Sequence, residues 1–214
     1  MVEDKELLKT GTTTVALMCK DGVVLAADRR ATSGYLIAHK KFEKIIEITD
    51  NIAVTVAGTV SDVQLLVKYI KAELKLKKIR TERENSVKEA ANLLSMLVYG
   101  NIRKLSLIPG ISHFLVGGKD EIGFHIYDLA PDGSIAEIDD YTTSGSGSVM
   151  VYGVLETLYK ENMSVDEGVK LAAKSINAAI QRDIASGNGI DIVTITAEGI
   201  NKVVSRGISA KIEV

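Results

Sequence analysis

The run Gly11-Thr12-Thr13-Thr14 is the first place where residue types could do chemistry. A threonine hydroxyl is a weak nucleophile and needs an adjacent base. A free α-amine on the same residue can serve, because its unperturbed pKa is about 7.7–8.0. Thr12 is not N-terminal as encoded, so this chemistry requires removal of residues 1–11. The plainer reading of three threonines is the start of a β-prone strand. Three histidines (His39, His113, His125) and the single Cys19 show no metal-ligand spacing. The loop Thr143-Ser144-Gly145-Ser146-Gly147-Ser148 precedes a helix and could suggest phosphate binding. It lacks the Gly-Lys-Ser/Thr ending of a P-loop, so no phosphate site and no cofactor are expected.

The elements that must position these residues follow from pattern. Residues 13–19 are β-branched and apolar and predict a buried strand. Asp21-Gly22 is a hairpin signal, with 23–27 as the returning strand. A loop of those two residues puts Lys20 opposite Val23 and Thr12 opposite Ala31. Pleat parity then places Asp28 on the other face from Thr12. Strands are expected near 43–48 and 52–57, the second ending at Gly58. A helix follows from Ser61, its stripe formed by Val63, Leu66, Val67, Ile70 and Leu74. Residues 76–85 read as a solvated connection. Ser86-Val87-Lys88-Glu89 is a capping box opening a second helix. Strands at 113–117, 122–127 and 134–139 come next, with Pro131-Asp132-Gly133 as a turn. A short helix over about 149–160 precedes another capping box, Ser164 to Glu167. That box opens a helix with Val169, Ala172, Ala173, Ile176 and Ile180 inward. Strands at 191–196 and 201–205 close the chain. Strands and helices in alternating blocks predict an α+β domain of antiparallel sheets with paired helices.

Composition bounds the rest. The 214 residues make one domain, with 46% hydrophobic and 25% charged residues, which excludes a disordered chain. Net charge is -2, so no nucleic-acid footprint is expected. No apolar run is long enough to span a membrane. The charged, acidic start Met1-Val2-Glu3-Asp4-Lys5-Glu6 does not resemble a secretion signal. One unpaired cysteine fits a reducing compartment, and a cytoplasmic location is expected.

From Thr12 onward the chain resembles a proteasome β subunit of the catalytic archaeal kind. The motifs are Gly11-Thr12-Thr13-Thr14-Val15, Ala26-Ala27-Asp28-Arg29-Arg30-Ala31-Thr32, His39-Lys40 to Lys44, and Val56-Ala57-Gly58. They continue with Ser144-Gly145-Ser146-Gly147-Ser148, Tyr152-Gly153-Val154-Leu155-Glu156, and Gln181-Arg182-Asp183-Ile184-Ala185-Ser186-Gly187. The resemblance implies an N-terminal-nucleophile hydrolase fold, an αββα sandwich of two antiparallel sheets between helix layers. It implies a propeptide, 1–11, removed by autolysis at Gly11–Thr12, and a hydrolase domain, 12–214. Thr12 matches the nucleophile and Lys44 the active-site lysine that tunes its amine. Asp28 matches the carboxylate that keeps Lys44 protonated, and Gly58 the oxyanion-hole glycine.

Ser146, Asp183 and Ser186 match residues organising the region around the threonine amine; Ile184 stands where the family often has a hydroxyl. Thr32 matches a contact to substrate backbone. Ala31, Phe42, Ile46, Val56 and Val60 match the pocket for the residue before the scissile bond. All five are apolar, so chymotrypsin-like cleavage after Leu, Phe or Tyr is expected. The implied partners are proteasome α subunits, other β subunits in seven-membered rings, a regulatory ATPase and unfolded polypeptide substrates. Membranes and nucleic acid are not among them.

Overall fold

The computed structural model describes residues 11–208. Of the expected leader, residues 1–10 lie outside the described residues.

The first hairpin joins β1 (Thr13–Cys19) to β2 (Gly22–Asp28). Cys19 pairs with Gly22 and Thr14 with Ala27. The turn is therefore Lys20-Asp21, one residue earlier than the sequence suggests. Glycine serves as the first paired residue of β2, where a Cβ would run into the Ile195 carbonyl. The one-residue shift of the turn moves the register by two, so the expected pairings of Lys20 with Val23 and Thr12 with Ala31 do not occur. Parity survives: continuing the register sets Asp28 across from Thr13, not Thr12. Asp28 then leads into the short hairpin β3 (Ala31–Ser33) and β4 (Leu36–His39), which the sequence reading passed over. Its residues are mostly exposed, so neither hydrophobic alternation nor burial marks it.

Next come β5 (Ile45–Thr49) and β6 (Ile52–Gly58), then α1 (Val60–Thr81) and α2 (Val87–Ile102). The expected solvated connection from 76 is instead helix as far as Thr81. Its Leu, Lys, Ile and Arg residues tolerate helix well, and α1 simply continues past the edge of the core. It ends at Glu82 in a left-handed conformation, φ 51°. The α2 capping box forms as predicted, Ser86 and Glu89 satisfying each other's backbone N–H.

The second half holds β7 (Ser112–Lys119), β8 (Phe124–Leu129), β9 (Ile135–Ile138) and β10 (Tyr141–Gly145). α3 (Ser148–Leu158), α4 (Val165–Arg182), β11 (Gly189–Thr196) and β12 (Gly199–Gly207) complete it. β10 corrects the expectation of a small-residue loop from Thr143. Threonines and serines form this strand because it joins the free edge of β1 through backbone pairing. Hydroxyls then bind across the pair: Thr14 Oγ1 to Ser144 Oγ at 2.8 Å, and Thr143 Oγ1 donating to Thr14 O at 2.6 Å.

The strands form two antiparallel five-stranded sheets, ordered β10-β1-β2-β11-β12 and β5-β6-β7-β8-β9. Val15, Leu17, Val24 and Ala26 face α3 and α4, packing on Leu155, Ala172 and Ile176. Val54, Val56, Phe114 and Val116 face α1 and α2, against Leu66, Ile70 and Leu94. Between the sheets lie Ala16, Ala27 and Ala53 with Leu25, Leu115 and Ile126. Small residues set against large ones let the two sheets close. The result is the four-layer αββα sandwich. Among the described residues, no helix is long and apolar enough to cross a membrane.

Candidate active site

The site lies where β1 begins, flanked by the end of β2, the approach to β5, the end of β6 and the loops after β10 and α4. Thr12 is buried, 5% exposed. Its Oγ1 donates to the Gly11 carbonyl oxygen at 2.8 Å, the carbonyl of the Gly11–Thr12 peptide itself.

Asp28 and Lys44 are brought together deep beneath that peptide. Lys44 Nζ donates to Asp28 Oδ1 at 2.6 Å and lies 3.5 Å from the Gly11 carbonyl oxygen. Lys44 is 2% exposed and Asp28 wholly buried. Burial pushes the Lys44 ammonium below its ordinary pKa, against the opposing pull of the Asp28 carboxylate and the weaker pull of Asp183. Asp28 does more than the sequence assigned to it. Oδ1 also accepts the Thr13 N–H at 2.9 Å, while Oδ2 accepts the Arg30 and Gly187 N–H groups, each at 2.9 Å. One carboxylate thus ties three separate backbone segments around the lysine. Pleat parity was the available signal, since it sets Asp28 facing Thr13.

A second chain of hydrogen bonds runs behind the threonine. Thr12 N–H donates to Ser146 Oγ at 3.4 Å, and Ser146 donates to Asp183 Oδ2 at 2.6 Å. Ser186 Oγ donates to the same Asp183 oxygen at 2.6 Å and receives Thr13 Oγ1–H, also at 2.6 Å. Ser146, Asp183 and Ser186 are therefore one unit. Thr13, which sequence reasoning left without a role, belongs to both networks. Close packing permits no side chain here: a Cβ on Gly145 would collide with the Thr12 carbonyl, and one on Gly147 with Thr13 Oγ1.

Gly58 closes β6 at φ +120°, and a Cβ there would collide with the Ile111 carbonyl. Only glycine meets both demands. Val56 N–H donates to Lys44 O at 2.9 Å. Strand alternation aims the Gly58 N–H toward that same edge, beyond the start of β5.

Beside Thr12 opens a cleft lined by Ala31, Thr32, Phe42, Val56, Val60 and Gly58 among others. Five of the six residues expected to bind substrate are there. Ile46 is not: it pairs with Val54 and packs into the helix-side core. Ala57 and Val63 line the cleft unpredicted. Thr32 Oγ1 accepts the Gly11 N–H at 3.0 Å. Arg30 lies behind, its Nε donating to Asn188 Oδ1 at 2.8 Å and its Nη1 to Ile184 O at 2.7 Å. Among the described residues, no group of three or more His, Cys, Asp or Glu side chains is placed to hold a metal ion.

Two antiparallel sheets between helix pairs, with a threonine at the mouth of the first strand over a buried lysine, define an N-terminal-nucleophile hydrolase sandwich. Within that class the chain belongs to the proteasome subunit family: the family's sequence model, "Proteasome subunit", matches residues 8–195. It is 45% identical to a proteasome subunit beta of Ferroglobus placidus over 213 residues, 100% of this chain and 99% of the relative. It is similarly 45% identical to that of Methanothermobacter thermautotrophicus over 197 residues, covering 92% and 91%. With the Archaeoglobus fulgidus protein the identity is 44% over 198 residues, covering 92% and 90%.

Proposed function

We propose that this chain is a threonine endopeptidase that first cuts its own Gly11–Thr12 bond and then hydrolyses unfolded polypeptides. The observation that carries this reading is the buried Lys44–Asp28 pair set 3.5 Å from the Gly11 carbonyl oxygen, with Thr12 Oγ1 on that same oxygen.

In the unprocessed chain Thr12 N is an amide and cannot act as a base. Lys44 is the titratable group beside the peptide, and burial favours its neutral form. As Thr12 Oγ attacks the Gly11 carbonyl carbon, its proton passes to the Lys44 amine. The new ammonium then lies beside the oxygen that gains negative charge. Breaking the C–N bond, with a proton returned to the Thr12 nitrogen, leaves an ester on Oγ. Water hydrolyses it, releasing residues 1–11 and freeing both the hydroxyl and the α-amine of Thr12.

In the processed enzyme, residues 12–214, the Thr12 amine becomes the base for its own hydroxyl. Lys44 holds its pKa down by charge repulsion when protonated, and Asp28 fixes Lys44 in place. Ser146, Asp183 and Ser186 orient the amine through the hydrogen-bond chain behind it. The Gly58 N–H serves the oxyanion, a role worth roughly 3–4 kcal/mol where such a donor is removed. Thr32 holds the substrate backbone as an added strand. Ala31, Phe42, Val56 and Val60 receive the residue before the scissile bond. An apolar wall favours Leu, Phe or Tyr there.

The relatives are named as subunits of a proteasome, and by that analogy this chain assembles with other β subunits into seven-membered rings capped by α subunits. Enclosure would restrict its substrates to unfolded chains delivered by a regulatory ATPase in the cytoplasm. Intact-mass measurement after assembly with α subunits, paired with fluorogenic peptide hydrolysis, tests the reading. Loss of residues 1–11 together with appearance of activity is expected. Activity from a chain that keeps them would overturn it.

A further inference from the structure

Gly11 is held on several sides. Its N–H donates to Thr32 Oγ1 at 3.0 Å, and its carbonyl oxygen accepts from Thr12 Oγ1 at 2.8 Å with Lys44 Nζ 3.5 Å away. The remaining side is closed by Ala185. A Cβ built on Gly11 would overlap the Ala185 methyl outright, and would lie 2.8 Å from its Cα and 3.1 Å from its carbonyl carbon. The requirement for glycine comes from this neighbour.

That neighbour cannot back away cheaply. The Ala185 N–H donates to Asp183 Oδ1 at 3.2 Å, and the preceding Ile184 carbonyl accepts from Arg30 Nη1 at 2.7 Å. Gly187 packs directly on the Arg30 guanidinium. Its N–H is also one of those held by Asp28. The turn from 183 to 187 is therefore anchored at both ends to the networks around Thr12.

We propose that Ala185 sets the size of the residue permitted before the bond the chain cuts in itself. The proposal rests on the reading of Gly11–Thr12 as a self-cleaved bond. It also explains why one nucleophile should obey two size rules. Residue 11 is attached through the Thr12 nitrogen, and its side-chain direction runs into Ala185 rather than into the cleft of Phe42 and Val56. A substrate residue arrives from outside and enters that cleft. Self-cleavage is thus limited to glycine at a site that accepts large apolar residues from other chains.

The test uses four full-length chains, each assembled with α subunits and followed over time by intact mass: wild type, Gly11→Ala, Ala185→Gly and the double variant. Gly11→Ala should release its leader at least about 100-fold more slowly, as expected when reacting atoms are displaced by about 1 Å. Ala185→Gly should still lose residues 1–11. The double variant should mature at least about tenfold faster than Gly11→Ala, short of wild type because the 2.8 Å approach to the Cα remains. Maturation of Gly11→Ala at the wild-type rate, or a double variant no faster than that single one, would overturn the role of Ala185. A wild-type chain that keeps residues 1–11 would instead remove the self-cleavage reading beneath it.

Discussion

Replacing Asp28 by Ala should damage this protein more than replacing Lys44, although the two form one ion pair. Lys44→Ala leaves a buried carboxylate that still accepts three backbone N–H groups, from Thr13, Arg30 and Gly187. Removing one partner of a buried pair costs about 3–5 kcal/mol, and those three donors place Lys44→Ala at about the lower end. Asp28→Ala strands the same three N–H groups, those of Thr13 and Gly187 buried and that of Arg30 part-buried, at about 1–3 kcal/mol each, and leaves a buried amine without its carboxylate as well. The difference between the variants should be at least about 3 kcal/mol, a large part of a typical domain's net stability of about 5–15 kcal/mol. Asp28→Asn should fall between them, because one amide oxygen can replace only some of the accepting positions. Urea unfolding of each variant, followed by far-UV circular dichroism, gives the comparison directly. Peptide hydrolysis should be lost in all three, and the double variant Asp28→Ala/Lys44→Ala should lose little more than Asp28→Ala, as residues acting as one unit do. Equal unfolding midpoints for Asp28→Ala and Lys44→Ala would refute the reasoning, since the backbone bonds would then contribute nothing.

On specificity, fluorogenic peptides differing only before the scissile bond should be cut faster after Leu, Phe or Tyr than after Arg or Asp; faster turnover after Arg than Leu would rule out the Phe42–Val56 wall. Glu89 should give α2 a pH-dependent anchor. Hydrogen bonding to Lys77, opposed by partial burial and helped by the Ser86 cap and Arg83, lowers its pKa from 4.5 to about 2. A carboxylate depressed on folding adds stability that is fully present above the unfolded value and disappears as pH falls through the folded one. The gap in urea midpoint between wild type and Glu89→Gln should therefore be constant above about pH 5 and close between pH 4.5 and 2; a gap unchanged at pH 2 would exclude it. Cys19 has its thiol pushed up to about 12, chiefly by burial and further by Asp21 and Glu167. Iodoacetamide at pH 8 should leave it unlabelled until the chain is unfolded in urea, whereas rapid labelling of the native protein would contradict that placement.

Much of this architecture was legible because burial imposes pattern. The stripe Val63, Leu66, Val67, Ile70 and Leu74 is the buried face of α1, and both capping boxes form as written. Elements held by backbone pairing or lying in solvent left no such trace. The hairpin β3–β4 is mostly exposed, and β10 is threonine and serine at an edge, where no apolar alternation is needed. The register error at Lys20-Asp21 has the same origin: Asp-Gly resembles a turn, but the glycine is needed where β2 passes the Ile195 carbonyl. At the site, resemblance brought Thr12, Asp28, Lys44, Ser146, Asp183 and Ser186 to attention, and all six meet. Ile46 pairs with Val54 on β6 and packs on the helix-side core, apart from the residues that line the cleft. The contact of Gly11 with Ala185 spans most of the chain length, and no local pattern encodes it.

The most direct test of the central claim is Thr12→Ala, assembled with α subunits and examined by intact mass beside wild type. Without the hydroxyl that lies 2.8 Å from the Gly11 carbonyl oxygen, the variant should keep residues 1–11 and hydrolyse no peptide. Wild type handled identically should lose them and become active. Thr12→Ala particles that shed the leader and cleave peptides at the wild-type rate would contradict the account.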